Sequence, residues 1–520
     1  MDTIDRYESQ PLNKLFRTLA IPSILGHVAG SLCIVFEGIF VGSVLGANAL
    51  AASSLVMPYI LISNALSDMV AAGASVQISI HLGMKEEKKA MEIFSFACLL
   101  IEVIALLVSS FFLLFMDKIV LSMGAQREVA LLAKQYASIF AILSPLSMLF
   151  FAVDDFLRIC GKIKFSMYVN IGVSVLNCIL MTILIGHYKM GLMVSSAIYN
   201  GCYALGAFAC IIPLLSGKLA LKFTKPKVEF KMVLRIFANG LNVFFSNISV
   251  SAVVILTNFI LLKVSGTLAV AAFAVYDYID GVARNVILGM ANGLTPAIGY
   301  NYGADNSERV KGLSIRLLLY GAMASLGIFL FVRFNAGVLA PIFCKDGDIA
   351  LLDMSVHTIK LCCLSYIIMW LPTLGNMILS SLDRPSFASL MAFAKTLVFP
   401  VVSIMALSSI LGLDGVWYSF ITSESLSAVL TSVFLLVVYK ELRRNGLRNS
   451  GRDLAASMRD EQKYLRRGKY IRGQNYADWK LIFPDKMPSK TAGRAKPPKK
   501  EKSAKNLNFK KKKAGSDSNG

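Results

Sequence analysis

Apolar residues fall in long unbroken blocks, and polar residues are confined to the short stretches between them. The blocks lie near 13–44, 51–81, 91–116, 130–157, 165–186, 192–216, 233–262, 268–299, 313–334, 357–382, 387–411 and 415–439. A helix needs about 20 mostly apolar residues to cross a hydrocarbon core about 30 Å thick at 1.5 Å per residue. Each block meets that length, which predicts twelve spanning helices. Met1 to Gln10 is polar, and the first block is far longer than the apolar region of a secretory signal, so no cleavable signal is expected.

Composition agrees. The chain of 520 residues is 56% hydrophobic before its 37 glycines are counted and 16% charged, with a mean hydropathy of +0.62. Soluble domains carry about 25% charged residues, so a multi-pass membrane protein is expected. Of the net charge of +21, residues 441–520 supply +15, leaving an apolar body and a basic tail. Within the body, Lys and Arg crowd the even-numbered connections, with Lys85, Lys88, Lys89, Arg158, Lys162 and Lys164 in the first two. The positive-inside rule then places those connections and both termini in the cytosol, and the expected location is the plasma (inner) membrane. The most basic connection, with Lys225-Pro226-Lys227, falls between spans six and seven. The expected organisation is a six-helix bundle over 1–216, a linker over 217–235, a second bundle over 236–440 and a largely disordered tail over 441–520.

The two bundles read as repeats. Gly46-Ala-Asn-Ala-Leu-Ala-Ala opens span two and Gly83 closes it; Gly266-Thr-Leu-Ala-Val-Ala-Ala opens span eight and Gly303 closes it, all at a shift of 220 residues. Gly73 falls on Gly293 at the same shift. Both copies begin at a span of the same orientation, so the repeats would be parallel, related by an axis along the membrane normal. Two such bundles can rock against each other around a site at their interface, which is a transporter architecture.

These residues resemble the multidrug and toxic compound extrusion (MATE) family, bacterial drug-exporter type, over about 12–445. The resemblance is carried by Leu19-Ala-Ile-Pro-Ser-Ile, Glu37-Gly-Ile-Phe-Val-Gly42, Leu50-Ala-Ala-Ser-Ser-Leu, Asn292-Gly-Leu-Thr-Pro-Ala-Ile-Gly-Tyr-Asn-Tyr-Gly-Ala304 and Gly412-Leu-Asp-Gly-Val-Trp417. It implies an exporter of amphipathic, often cationic, compounds in exchange for H⁺ or Na⁺, with no bound cofactor. The family belongs to a group that includes flippases of lipid-linked sugars, which stand as the alternative. A wide basic cavity would suit those, and the few intramembrane cations, Arg284 and Lys395, argue against it. A membrane-embedded enzyme would need clustered His, Ser or metal ligands, which are missing from the sequence pattern.

A charge in the membrane interior is costly, so an intramembrane acid is a candidate functional group. Glu37 leads: twenty residues beyond Arg17, it sits about 30 Å along the first span. By resemblance, this place holds the cation-coupling acid. The family's partners on span five are an Asn and an Asp one turn apart; here they are Asn177 and Met181, and a span-six hydroxyl falls near Tyr199. Thioether sulfur is a soft ligand and poor for Na⁺, which favours H⁺ carried by Glu37 beside Asn177. A purely structural Glu37 is the other reading.

On span eight, Asp277, Asp280 and Arg284 share one face, where Asp280 and Arg284 can pair and leave Asp277 less compensated. The cluster reads either as a packing device or as a second cation site. Asp68, Glu102 and Glu424 lie mid-span without identifiable partners, with Lys395 available to neutralise one of them, and Asp154-Asp155 with Arg158 reads as an interfacial cluster. Met181, Tyr199, Tyr276 and Arg284 are candidates to line the substrate cavity, since flexible and aromatic side chains suit varied cations. Pro22 can bend the first span and so act in gating. The tail is expected to rest at anionic lipid rather than on a specific nucleic acid, and a monomer is expected. The nine cysteines show no metal or disulfide spacing and read as reduced core residues.

Overall fold

The computed structural model describes residues 5–40, 44–45, 47–122, 127–217, 219–227, 229–343 and 349–467. Among them every regular element is helical. A short α1 (Asp5–Ser9) precedes α2 (Leu12–Phe40), α3 (Ala47–Gly83), α4 (Glu87–Ser122), α5 (Arg127–Ile159), α6 (Ile163–Leu180), which runs into a π-helical stretch (Met181–His187), and α7 (Leu192–Leu215). The second series is α8 (Phe230–Ser265), α9 (Thr267–Gly303), α10 (Ser307–Leu339), α11 (Ile349–Cys362), α12 (Trp370–Ser381), α13 (Pro385–Phe393) and α14 (Phe399–Arg467).

Among the described residues ten helical stretches are apolar and long enough to cross a membrane, and two features account for the difference from twelve. Asp277, Asp280 and Arg284 interrupt α9, which is therefore not among the ten. The stretch Pro385–Glu441 covers two crossings in its 57 residues, because α14 doubles back at Gly412. Gly412 has φ +61°, a left-handed conformation that glycine adopts without strain. A Cβ on Gly415 would lie 2.0 Å from the Leu407 carbonyl oxygen, whereas eight residues of straight helix span about 12 Å. The ion pairs Arg384–Glu441 at 2.8 Å and Lys395–Glu424 at 3.7 Å join residues on opposite sides of this turn, the first pair nearly equidistant from it.

Residues 1–456 form one unit and 457–520 a second, described only as far as Arg467. The backbone stays helical from Tyr439 to Arg467, so the first part of the stretch expected to be largely disordered continues α14. The composition explains it, since Leu, Ala, Arg, Lys, Met and Glu dominate this stretch and are the strongest helix formers. The Lys-rich segment beyond lies outside the described residues.

Within the first unit, α2 packs along α9 and α3 along α8, the pairing that a two-fold axis parallel to the helices generates. The approach is closest at glycines. A Cβ on Gly83 would meet Tyr300 O at 2.0 Å, and one on Gly303 would meet Ile80 O at 2.0 Å. Residues 80 and 300, like 83 and 303, are 220 apart, so α3 and α9 cross on the pseudo-axis itself. Farther along, Gly73 and Gly240 let α3 and α8 touch backbone to backbone, with Cβ positions 1.9 Å from Ile236 O and 1.8 Å from Met69 O. Small residues at such crossings are how membrane helices pack without a hydrophobic driving force. Side chains pointing away from the core, such as Leu114 and Phe334, are exposed and apolar, as a lipid-facing surface requires.

The end carrying Gly83 and Gly303, the inner end in the orientation read from the charge pattern, is tied further by α1. Tyr7 is buried there; its hydroxyl donates to Arg158 O at 2.8 Å, and its carbonyl accepts from Asn301 Nδ2 and Arg309 Nε, each at 3.1 Å. Lys85 Nζ donates to Tyr300 OH at 2.8 Å and to Glu8 Oε2 at 3.1 Å, contacts that raise the Lys85 pKa above its ordinary value.

Candidate functional site

The candidate acids lie on α2 (Glu37), α3 (Asp68), α4 (Glu102), α9 (Asp277, Asp280) and α14 (Glu424). Glu37, near the end of α2, is half-buried. Its partner is Ser195, in the first turn of α7, whose Oγ donates to Glu37 Oε1 at 3.5 Å. Sequence reasoning looked for this hydroxyl at Tyr199, one turn later; Ser195 was missed, since nothing in an apolar helix marks which turn faces α2. Around Glu37 stand Tyr136, Tyr199, Tyr203, Cys33, Cys178 and Cys202, all within its electrostatic reach.

Asn177 lies on α6, which packs against α2. It is fully buried, and among the described residues neither its Nδ2 nor its Oδ1 has a hydrogen-bond partner. Met181 begins the π-helical stretch and is fully buried. In this conformation Met181 is therefore packing rather than cavity lining, a correction to its expected place. Tyr199 is partly exposed and packs against Tyr203 in a tilted arrangement, with ring centroids 4.7 Å apart. Pro22 is buried within α2, which stays helical through it.

The second bundle holds a chain of charges. Arg284 Nε donates to Asp280 Oδ2 at 2.5 Å and its Nη1 to Glu424 Oε1 at 3.0 Å. Lys395 Nζ lies 3.7 Å from Glu424 Oε2 and 2.5 Å from Thr373 Oγ1. Tyr276 OH donates to Asp280 Oδ1 at 3.1 Å. Two acids thus face two bases, and the neutral balance is what lets the cluster sit in the membrane. Tyr276 is sealed between Tyr366 and Phe420, so it too is packing here and not cavity lining. Arg284 keeps 32% of its side chain exposed. Asp277 points away, exposed, and has no hydrogen-bond or ion-pair partner among the described residues.

The other mid-span acids find partners that no local pattern announces. Asp68 accepts from Asn247 Nδ2 at 3.0 Å, across the bundle interface. Glu102 Oε1 is buried without a partner among the described residues. Asp154 and Arg158, expected at the interface with water, are instead 5% and 4% exposed; they pair with each other, while Asn170 Nδ2 donates to Asp154 Oδ1 and Arg158 Nε donates to Ser166 Oγ, each at 3.0 Å. Among the described residues no group of His, Cys, Asp and Glu could hold a metal ion, and the described cysteines are free.

A helical membrane protein in which two bundles meet along α2, α9, α3 and α8 around flanking acids has the build of a secondary transporter. The MatE family model matches residues 22–183 and again 243–405, two copies offset by almost the 220 residues of the repeat. The chain belongs to the MatE family, whose members are transporters and not enzymes. It is 26% identical over 441 residues to the multidrug export protein MepA of Staphylococcus aureus strain MSSA476, covering 83% of this chain and 95% of that protein. The fold is similar to that of a structure described as the outward-facing conformation of a multidrug resistance MATE family transporter of the MOP superfamily, with TM-score 0.81 and 20% identity over 84% of this chain and 98% of that one. A MOP superfamily transporter from Pyrococcus furiosus, described as having a binding pocket of reversed polarity, superposes with TM-score 0.79 at 20% identity, over 84% of this chain and 98% of that one.

Proposed function

We propose that the protein exports amphipathic and cationic drugs and toxic compounds across the plasma membrane, in exchange for H⁺, by rocking of its two bundles, with Glu37 as the coupling carboxylate. The observation that carries this reading is the make-up of the Glu37 site: one carboxylate, the Ser195 hydroxyl and, on the neighbouring α6, an unpaired Asn177 amide beside Met181. A single acid with neutral neighbours can take and release one proton. Na⁺ calls for several hard oxygen ligands, and the thioether at 181 supplies none.

The conformation fits an outward-facing state: the inner ends are joined at Gly83 and Gly303 while Glu37 stays partly open. Tyr199, Asp277 and Arg284 are the proposed substrate contacts, with the Asp280 cluster as a secondary charge site. A lipid-linked glycan is the weaker substrate reading, because Arg284 and Lys395 are spent on Asp280 and Glu424 and leave little basic surface for pyrophosphate. We place both termini in the cytosol, the tail at anionic lipid, and the working unit as a monomer.

The test is efflux of a cationic dye from proteoliposomes with pH and Na⁺ gradients imposed separately. A pH gradient alone is expected to drive efflux, and Glu37→Gln to abolish it. Efflux driven only by Na⁺, or undiminished in Glu37→Gln, would overturn the proposal.

A further inference from the structure

Two side-chain contacts join the bundles at the outer limit of their inner crossing. Asn247 Nδ2 on α8 donates to Asp68 Oδ2 on α3 at 3.0 Å. His27 Nε2 on α2 meets Asn292 Nδ2 on α9 at 2.8 Å. Positions 27 and 247 are equivalent at the 220-residue shift, whereas Asp68 falls on position 288, one turn before Asn292, so the contacts are related but not in register, and the first carries a carboxylate.

Asp68 is half-buried, and α3 packs against α4, α5, α8 and α9. The charged group that acts on it is Asp155 of α5, which lies 3.7 Å from Arg158 Nη1. Asp154 on the same helix is taken up by Arg158 and Asn170. Glu102 of α4 acts on Cys98, and Arg284 of α9 is held by Asp280 and Glu424. From α8 the group that reaches Asp68 is the Asn247 amide. No cation is paired with Asp68 among the described residues, so the bond to Asn247 is its principal stabilising contact.

A hydrogen bond to an ionised carboxylate is roughly twice as strong as one between neutral groups. Ionised, Asp68 holds α3 to α8; protonated, it holds them less well. We propose that Asp68 is a proton-operated latch of the transport cycle, its carboxylate bonded to Asn247 across the bundle interface and keeping the inner ends together until it takes a proton. The sense matches exchange: H⁺ taken up from outside must be followed by opening to the inside, and protonation is what loosens the inner contact. The latch rests on the H⁺-coupled reading above and adds a gating residue to it, separate from Glu37.

The test uses spin labels at Met57 and Ile255, exposed positions on α3 and α8, in the full chain with native cysteines replaced, and reads their separation in liposomes from about pH 8 to about pH 5. The wild-type separation is expected to shorten as pH falls and the outer side closes. Asp68→Asn, which keeps a hydrogen-bonding side chain but cannot titrate, should lose the shift. Asp68→Glu should retain it, showing that the site still folds and needs the acid. Asn247→Ala should populate the short separation already at the higher pH. A wild-type shift in Asp68→Asn, no shift in the wild type, or loss in both Asp68→Asn and Asp68→Glu overturns the latch, as does a long separation for Asn247→Ala at the higher pH. The coupling reading fails separately, if a pH gradient drives no dye efflux from wild-type vesicles, because the latch is read from distances alone.

Discussion

At the scale of single residues, the chemistry turns on which polar groups are paired. Met181 occupies the turn after Asn177, and Asn177 brings an amide with no partner among the described residues. Met181→Asp would set a second carboxylate one turn from Asn177, adding hard oxygen where sulfur now stands. We expect that variant to gain efflux driven by a Na⁺ gradient, measured in proteoliposomes, where the wild type is expected to respond to a pH gradient. The second bundle gives the opposite case, charges already matched. Arg284→Met would leave Asp280 uncompensated and Glu424 with Lys395 only, at a cost of roughly 3 kcal/mol, the lower end for a broken buried pair because Arg284 is partly exposed. Arg284→Met combined with Asp280→Asn keeps the Lys395–Glu424 pair and should recover most of the loss in a thermal unfolding assay in detergent. Lys85 gives a pH statement of definite sign. Its contacts with Tyr300 and Glu8 raise its pKa, so its contribution is fully present below the unfolded value near 10.5 and is lost as pH rises through the folded one. Lys85→Met should therefore weaken the inner contact equally at every pH from about 5 to about 9 and leave the pH profile of transport unmoved.

At the scale of helices, the decisive contacts are backbone approaches, and they were partly legible beforehand. The pairs Gly83/Gly303 and Gly73/Gly293 stood out in the sequence because they recur at one shift, and Gly83 and Gly303 prove to be where α3 and α9 cross. An Ala at either would drive a methyl group into a carbonyl oxygen 2.0 Å away, costing about 1–3 kcal/mol and prising the inner ends apart. Gly83→Ala and Gly303→Ala should then have matching effects, both slowing dye efflux and both raising the reactivity of an inner-facing cysteine toward an impermeant thiol reagent. Helix number and position were legible for the same kind of reason, since the length of an apolar run is a local property. The partners of the buried acids were not. Asp68 and Asn247 are 179 residues apart, Glu37 and Ser195 158, and Arg284 and Glu424 140, and periodicity says nothing of which face of one helix meets which face of another. The α14 turn lies between these cases: Gly412 was visible in its motif, yet the reversal is read from the left-handed φ and the ion pairs that flank it.

At the scale of the whole molecule, the two bundles behave as repeats joined by one covalent connection, and that connection is unevenly attached. Leu219 and Leu221 are buried, Phe223 packs against Phe94 with ring centroids 4.7 Å apart, and Thr224 N donates to Ser95 Oγ at 2.8 Å. The first part of the linker therefore belongs to the N-terminal bundle. From Lys225 to Lys227 the chain is exposed and has no regular secondary structure, with no described contact to either side. What holds the bundles together is the α2–α9 and α3–α8 packing, the glycine crossings and the contacts of Tyr7, none of which passes through the linker. A chain cut between Lys225 and Pro226 should accordingly yield two fragments that copurify when coexpressed and that restore dye efflux to vesicles. A cut between Leu221 and Lys222 would detach the segment that buries Leu219 and Leu221 from the Phe223 and Thr224 contacts, and should lower the yield of assembled protein. Equal yields from the two cuts would show that the linker is a passive tether along its whole length, and failure of both fragments to assemble would show that each bundle needs the other during insertion.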